Sequence, residues 1–248
     1  MMQQQESLFE WIDGRAYFRD LPVERHVVTL AGKDSSSTPW VFEIAGVKDA
    51  ADLLDQPDFA KRFVEDDLAP YGLELWPAAR MLAEHVVRGE PGAGRSAIEL
   101  GCGLALVSVA AALSGWRILA TDNDQTSLRF AEYNAGKNNA EIVGFELLDW
   151  NHPREAVLPL LQGRRFDRVF AADVLYQLVD HAPILRCIDQ LLAPDGVAVV
   201  ADPNRGVADR FEITARDHGF VVEVEPASAT DRHGKTVAGR IFALRRIP

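Results

Sequence analysis

Residues 97–113, "AIELGCGLALVSVAAAL", decide how the rest of the chain is read. A short apolar run ends at Leu100, glycines follow at 101 and 103, and the chain resumes as an alanine- and valine-rich stretch of helical character. Glycine at those places lets the backbone turn tightly into a helix and lets a ligand approach the main chain. A strand-to-helix turn that binds nothing looks the same, so the fragment alone names no ligand. A dinucleotide fingerprint needs a third glycine for close helix packing, and Leu106 holds that place. NAD and FAD are therefore disfavoured.

Two residues before the first glycine stands Glu99, giving E-x-G-x-G-x-A through Ala105. A carboxylate there repels a pyrophosphate but suits an ammonium group, as in the methionine part of S-adenosylmethionine. A ribose bound over such a turn needs an acid at the tip of the adjacent strand, about 20 residues on. "ILATDND" places Asp122 there, with Asn123 beside it in the candidate cofactor set. Asp122 also reads as the N-cap of a helix over "QTSLRFAEYNAGKNN". "DND" has a further reading as the metal-binding D-x-D of a sugar transferase, but no second acidic or histidine cluster sits at ligand spacing, so no metal is expected.

In "LLDWN", Asp149 suits the exocyclic amine of an adenine and Trp150 offers an apolar wall; a capping Asp beside a buried Trp is the plainer alternative. In "FAADVLYQ", Ala172 is small enough for a cofactor to lie against it, and Asp173 and Tyr176 follow where an acceptor would meet a transferred methyl group. An Asp cap and a packing Tyr remain open there too. "HGKT" at 233–236 resembles the end of a phosphate loop, yet Ala229 occupies the first required glycine position. "DPNR" at 202–205 follows the fifth strand, whereas the N-P-P-Y type motif of many amino-group methyltransferases follows the fourth.

From about residue 95 onward, β-branched runs alternate with longer periodic stretches, the pattern of a parallel sheet covered by helices. Strands are expected at 96–100, 117–121, 142–147, 167–172 and 196–201, and helices at 104–114, 125–137, 154–162, 178–192 and 206–217. "FVVEVEP" and "GRIFALRR" are joined by a stretch too short and polar for a crossover helix, so they form an antiparallel hairpin. The fold class is α/β, a Rossmann-like seven-stranded sheet. Upstream, "ERHVVTLAGKDSSSTPWVFEIAGVKDA" reads as two strands around a Ser-rich turn, and "AADLLDQPDFAKRFVEDD" as an amphipathic helix. Residues 1–70 are expected to pack on the main fold of residues 71–248 as an elaboration.

Composition excludes several classes. The 248 residues are 48% hydrophobic and 25% charged, which permits one substantial core. No apolar run approaches the roughly 20 residues that span a bilayer, and the N-terminus lacks an apolar h-region. A formal net charge of -11 argues against broad contact with nucleic acid phosphates and favours a basic partner. Cys102 and Cys187 form neither a disulfide framework nor a zinc ribbon, which fits a cytoplasmic setting. A monomer is expected.

Together, "PYGLELWPAARMLAEHV", the glycine turn, "ILATDNDQTSLRFAEYNA", "LLDW" and "FDRVFAADVLY" resemble the seven-β-strand class I lysine methyltransferases of methyltransferase family 16, including the electron-transfer-flavoprotein lysine methyltransferase type. The resemblance covers roughly residues 66–205, its more selective features being the Trp of "LELWPAA" and the D-x-x-Y of "ADVLY". It implies that Trp76, Gly101, Cys102, Gly103, Asp122, Trp150 and Ala172 line an S-adenosylmethionine site, with Asp173 and Tyr176 on the acceptor side. It implies a methyltransferase acting on lysine side chains of a protein and releasing S-adenosylhomocysteine. A small-molecule N-methyltransferase and a non-catalytic binding module on the same fold are the rivals. Ala105 replaces a common glycine. The first expected outcome concerns the cofactor: titration calorimetry detects binding of S-adenosylmethionine or S-adenosylhomocysteine and none of NADH, because Glu99 and Leu106 oppose a pyrophosphate.

Overall fold

A computed structural model describes residues 8–32, 37–66, 69–152 and 165–247. The chain opens with a four-stranded antiparallel sheet of β1 (Glu10–Ile12), β2 (Arg15–Phe18), β3 (Leu21–Leu30) and β4 (Trp40–Val47), in that spatial order. The expected pair is β3 and β4, with Val28 opposite Phe42 and His26 opposite Ile44. The first hairpin was not anticipated: its β1 is three exposed residues, too short to show alternation. The helix expected from Ala50 onward is two pieces, a 3-10 turn over Ala50–Asp55 and α1 over Pro57–Asp66. Pro57 explains the break, since it cannot continue a helix from the residue before it. The core of the Ser-rich turn lies outside the described residues.

The second sheet has seven strands: β5 (Ser96–Leu100), β6 (Arg117–Asp122), β7 (Gly144–Leu147), β8 (Phe166–Ala172), β9 (Leu192–Asp202), β10 (Phe220–Thr230) and β11 (Thr236–Arg246). Their order is β10-β11-β9-β8-β5-β6-β7, parallel from β9 to β7 and antiparallel where β11 meets β9 and β10. The final hairpin runs longer than expected. The polar stretch between its apolar runs is itself strand, pairing Ala227 with Gly239 and Thr230 with Thr236. Only the bend is left to turn, where the Asp231 carboxylate accepts from the His233 and Lys235 backbone N–H groups.

Both faces of this sheet are covered. Ala97, Phe170 and Val199 face one side, packed with α2 (Pro77–Arg88), α3 (Leu106–Leu113) and α4 (Gln125–Lys137). Ile98, Val169 and Val200 face the other, packed with α5 (His181–Leu191) and α6 (Phe211–Asp217). Burial on two sides is why these strands read as continuous apolar runs. Two expected helices begin instead as 3-10 turns, Leu178–Asp180 before α5 and Gly206–Arg210 before α6. The helix expected at 154–162 lies outside the described residues. No helix among the described residues is long and apolar enough to cross a membrane.

The two sheets are joined through α4. Phe130 sits between Phe9 and Phe18 at ring separations of 5.3 and 5.1 Å. On the same helix face, Asn134 and Asn138 use their amides as substitute peptide groups along the edge of β4. Ala45 donates its N–H to Asn134 Oδ1 at 2.8 Å, and Asn134 Nδ2 donates back to the Ala45 carbonyl at 3.0 Å. Asn138 repeats the exchange one step along, with the N–H and carbonyl of Glu43 at 2.9 and 2.7 Å. Four residues make one helical turn and two residues one strand repeat, so both amides meet the same edge of β4. Asn134 also donates to the Leu104 carbonyl, beside the glycine turn. Asn134→Ala leaves buried groups of Ala45 unpaired and is expected to cost about 2–4 kcal/mol in urea unfolding, whereas Asn138→Ala, at an exposed pair, costs about 1 kcal/mol or less.

Candidate functional site

The glycine turn joins β5 to α3 and is held by the tip of β6. Cys102 donates its N–H to the Thr121 carbonyl at 2.8 Å, and Gly103 donates to Asp122 Oδ2 at 2.8 Å. The other Asp122 oxygen accepts from the Asp124 N–H at 3.0 Å. Gly101 and Gly103 have φ of 64° and 48°, in the left-handed region where a side chain is strained. A Cβ on Gly103 would lie 3.0 Å from the Gly72 carbonyl oxygen, so the turn is also pressed against the segment entering α2. Ala105 has φ 62°, so replacing the common glycine puts a methyl-bearing residue in the same strained region just before α3. The N-cap of α4 is Asp124, whose carboxylate accepts from the Thr126 and Ser127 N–H groups.

Over this turn opens a cleft of about 280 Å³ at the carboxyl ends of the parallel strands, where open α/β sheets bind ligands. It brings together Trp76, Glu99, Gly101, Cys102, Gly103, Asp122, Asn123, Trp150, Ala172, Asp173 and Tyr176 from five separate stretches of chain. Asp149 does not line it: its carboxylate accepts from the Asn151 N–H and pairs with the His152 ring at 2.9 Å. Trp150 is buried against the turn, 3.5 Å from where a Cβ on Gly101 would stand. Trp76 is fixed by an indole N–H donated to the Tyr71 carbonyl at 2.8 Å. Tyr71 stands edge-on to both Trp76 and Tyr176, at 6.3 and 6.4 Å.

Charge in the cleft has one sign. Glu74, Glu99, Asp122, Asp124 and Asp173 line it, with no lysine or arginine among the described lining residues. Burial pushes the Glu99 carboxyl up to about 8; the Ser108 hydroxyl donated to it at 2.5 Å opposes this and the Asp122 charge adds to it. Burial likewise raises Asp122 to about 6 against the backbone N–H groups that favour its charged form. The Cys102 thiol is held well above its ordinary range by burial and by the charges of Asp122 and Glu99, so it is a neutral wall. The site thus holds protons that a cationic ligand would displace. S-Adenosylmethionine, with a sulfonium and an ammonium, has the charge these residues fit, and the turn leaves room for its close approach.

Three features of the site lay outside the sequence reading. Phe63 on α1 and Tyr71 in the segment before α2 line the cleft; for Tyr71 the signal was present in "PYGLELW", where it precedes Trp76 by five residues. Ser127 on α4 lines it as well. Arg205, from "DPNR", pairs with Asp173, and nothing in the spacing of the two residues indicated it.

A glycine turn clamped by an acid on the neighbouring strand, under an acid-lined cleft in this strand order, defines a class I methyltransferase. A family model described as lysine methyltransferase matches residues 57–218, and the chain belongs to that family. It is 28% identical over 143 residues to the protein-lysine N-methyltransferase rrg1 of Schizosaccharomyces pombe, covering 54% of this chain and 47% of that protein. It is 30% identical over 124 residues to the ubiquinone biosynthesis O-methyltransferase of Psychrobacter arcticus, covering 50% and 47%. The chain thus spans about half the length of these relatives. A methyltransferase structure from Pyrococcus furiosus shares the fold, with a TM-score of 0.53 at 18% identity over 76% of this chain and 94% of that one. Family and fold imply S-adenosylmethionine as methyl donor.

The raised acids carry a pH dependence. In the unfolded chain Glu99 ionises near 4.5, and in the folded chain near 8, so between these values only the folded state keeps the proton. Its contribution to stability is therefore full below about 4.5 and declines as pH rises through about 8. Denaturant unfolding of the ligand-free protein across this window is expected to show that decline in wild type, and a flatter profile in Glu99→Gln.

Proposed function

We propose that the protein transfers a methyl group from S-adenosylmethionine to lysine side chains of a protein substrate. The observation that carries this reading is the cleft itself: acids and no lysine or arginine stand among its described lining residues, and one of those acids, Asp173, has a carboxylate oxygen, Oδ2, that is buried and unpartnered among the described residues. The family match and the lysine methyltransferase relative support it. The donor supplies a methyl group on a sulfonium, open to in-line displacement. Gly101, Gly103, Asp122 and Asn123 hold its ribose end in this reading, Trp76, Trp150, Cys102 and Ala172 wall it, and Glu99 receives its ammonium. Asp149 belongs with the adenine only through the chain beside Trp150.

The remaining task falls to Asp173 and Tyr176. A lysine arrives protonated, with a reference pKa of about 10.4, and must release its proton to solvent water before its amine attacks the methyl carbon and S-adenosylhomocysteine leaves. Asp173 holds the ammonium in place and Tyr176 orients the amine once it is neutral, so that the lone pair faces the methyl carbon. The exposed Tyr176, Leu178 and Val179 lie beside the cleft mouth, where a protein surface would rest. The net charge of -11 favours a lysine-rich partner. Residues 1–70 act in this reading as an elaboration on the methyltransferase domain of 71–248, although the family match already begins at residue 57. Both cysteines are free and buried, consistent with a reducing cytoplasm.

A small-molecule acceptor is the second reading, favoured by the ubiquinone O-methyltransferase relative. Incubation with methyl-labelled S-adenosylmethionine and a cell lysate, followed by separation of protein-bound from small-molecule label, decides between them: label on protein lysines supports the first, and label only on small molecules overturns it. Asp173→Asn and Tyr176→Phe are expected to lower that methylation at least tenfold with S-adenosylhomocysteine affinity nearly intact, and activity is expected to fall as salt rises. Rates within twofold of wild type for both variants would return these side chains to packing roles.

A further inference from the structure

The string "DPNR" has no part in the chemistry described so far, yet it forms a turn directly beside Asp173. β8 and β9 are parallel neighbours with Ala172 paired to Ala201, so Asp173 and Asp202 leave the sheet side by side. Asp173 donates its N–H to the Ala201 carbonyl at 3.0 Å and takes φ 63°. Asp202 Oδ1 accepts the N–H of Arg205 at 2.8 Å, closing a turn in which Asn204 has φ 59°. Arg240 fastens the turn from β11, donating Nη2 to the Arg205 carbonyl at 3.1 Å while its Nη1 pairs with Asp209 at 2.8 Å. With its backbone held at both ends, Arg205 points its guanidinium at Asp173, and Nη1 bonds to Oδ1.

The consequence lies in the other oxygen. The Asp173 side chain is 8% exposed, it lines the cleft, and Oδ2 has no hydrogen-bond partner among the described residues. A buried carboxylate oxygen without a donor is costly, and a ligand N–H relieves that cost. A carboxylate free at both oxygens turns about its terminal bond and offers either one. Held by a planar guanidinium at Oδ1, it offers one oxygen in one direction.

We propose that Arg205 is a positioning residue: it holds Asp173 Oδ1 so that Oδ2 alone receives a cationic N–H of the methyl acceptor. The proposal rests on the reading of Asp173 as an acceptor-side group. It makes the site selective for ammonium-bearing acceptors over neutral hydroxyls, because a cationic donor to a desolvated carboxylate oxygen forms the stronger bond. Lysine at position 205 keeps the charge but loses the planar fork, so it would hold Oδ1 less firmly.

A donor analogue tests this without a known substrate. Sinefungin carries a carbon-borne amine where S-adenosylmethionine carries its methylated sulfur, so its amine projects toward the acceptor, and S-adenosylhomocysteine lacks that group. Titration calorimetry of both compounds is run on wild type, Asp173→Asn, Arg205→Met and Arg205→Lys, with thermal unfolding as a check on the fold. Wild type is expected to prefer sinefungin by about tenfold or more, the size of a charge-assisted hydrogen bond. The preference falls to within about twofold of parity in Asp173→Asn and Arg205→Met and is intermediate in Arg205→Lys, while S-adenosylhomocysteine affinity stays within about twofold. A preference lost in Asp173→Asn but kept in both Arg205 variants overturns the role of Arg205 and leaves the Asp173 reading standing. No preference in wild type, or one that survives Asp173→Asn, overturns the Asp173 reading and the proposal with it. S-Adenosylhomocysteine affinity falling in every folded variant would move both residues into the cofactor shell, which also overturns it. Should Arg205→Met fail to fold, Arg205→Lys decides: an intermediate preference supports the proposal, and a wild-type preference overturns it.

Discussion

The structure depends on the hydrogen bond by which Asp122, at the end of β6, receives the N–H of Gly103. That bond requires the parallel register in which Leu100 stands opposite Thr121, and the register places the end of β5 and the acid of β6 at the same level of the sheet. With the Cys102 N–H bound to the Thr121 carbonyl, the turn is tied to the neighbouring strand through main-chain atoms. Tying it this way removes the need for side chains in the turn. The floor of the cleft is consequently backbone that a ligand can approach closely.

Holding acids in such a place has an electrostatic cost. Glu99 and Asp122 are both buried, and each carries its proton to a higher pH than an exposed carboxyl. Ser108, buried on α3, offsets part of this for Glu99 through its hydroxyl, and the backbone N–H groups of the turn do the same for Asp122. Arg205 offsets the charge of Asp173 from outside the cleft, but among the described residues no lysine or arginine lines the cleft beside Glu99 and Asp122. Such a cleft is suited to a cation, whose arrival converts a penalty into an attraction.

The N-terminal sheet is part of the same construction. Asn134 and Asn138 pair the open edge of β4, which protects that edge from other strands and fixes the sheet against α4. Because Asn134 also reaches the Leu104 carbonyl, the edge of β4 and the glycine turn share one side chain. The segment between α1 and α2 then brings Tyr71 and Trp76 over the cleft, with Gly72 lying against Gly103. The segment entering α2 therefore supplies one wall of the site.

Local chemistry was enough to determine much of this from the sequence. The β-branched runs at 96–100, 117–121 and 167–172 mark strands because a sheet buried on both faces needs apolar residues throughout. Glycines 101 and 103 mark the turn because few other residues accept its dihedral angles. Glu99, Asp122 and Asp173 were legible as strand-end acids because strand ends in such a sheet face the crevice. Tertiary structure decided what spacing does not encode. The first hairpin and the strand through 227–230 depend on the strands they pair with, whereas the helix break was already set locally by Pro57. Asp149 turned to Asn151 and His152, two and three residues on, the local capping alternative its sequence also offered, whereas the pairing of Arg205 with Asp173 across 32 positions depends on neighbours that only the completed sheet brings together. A carboxylate's position follows from the chain that carries it; its hydrogen-bond partners follow from the fold.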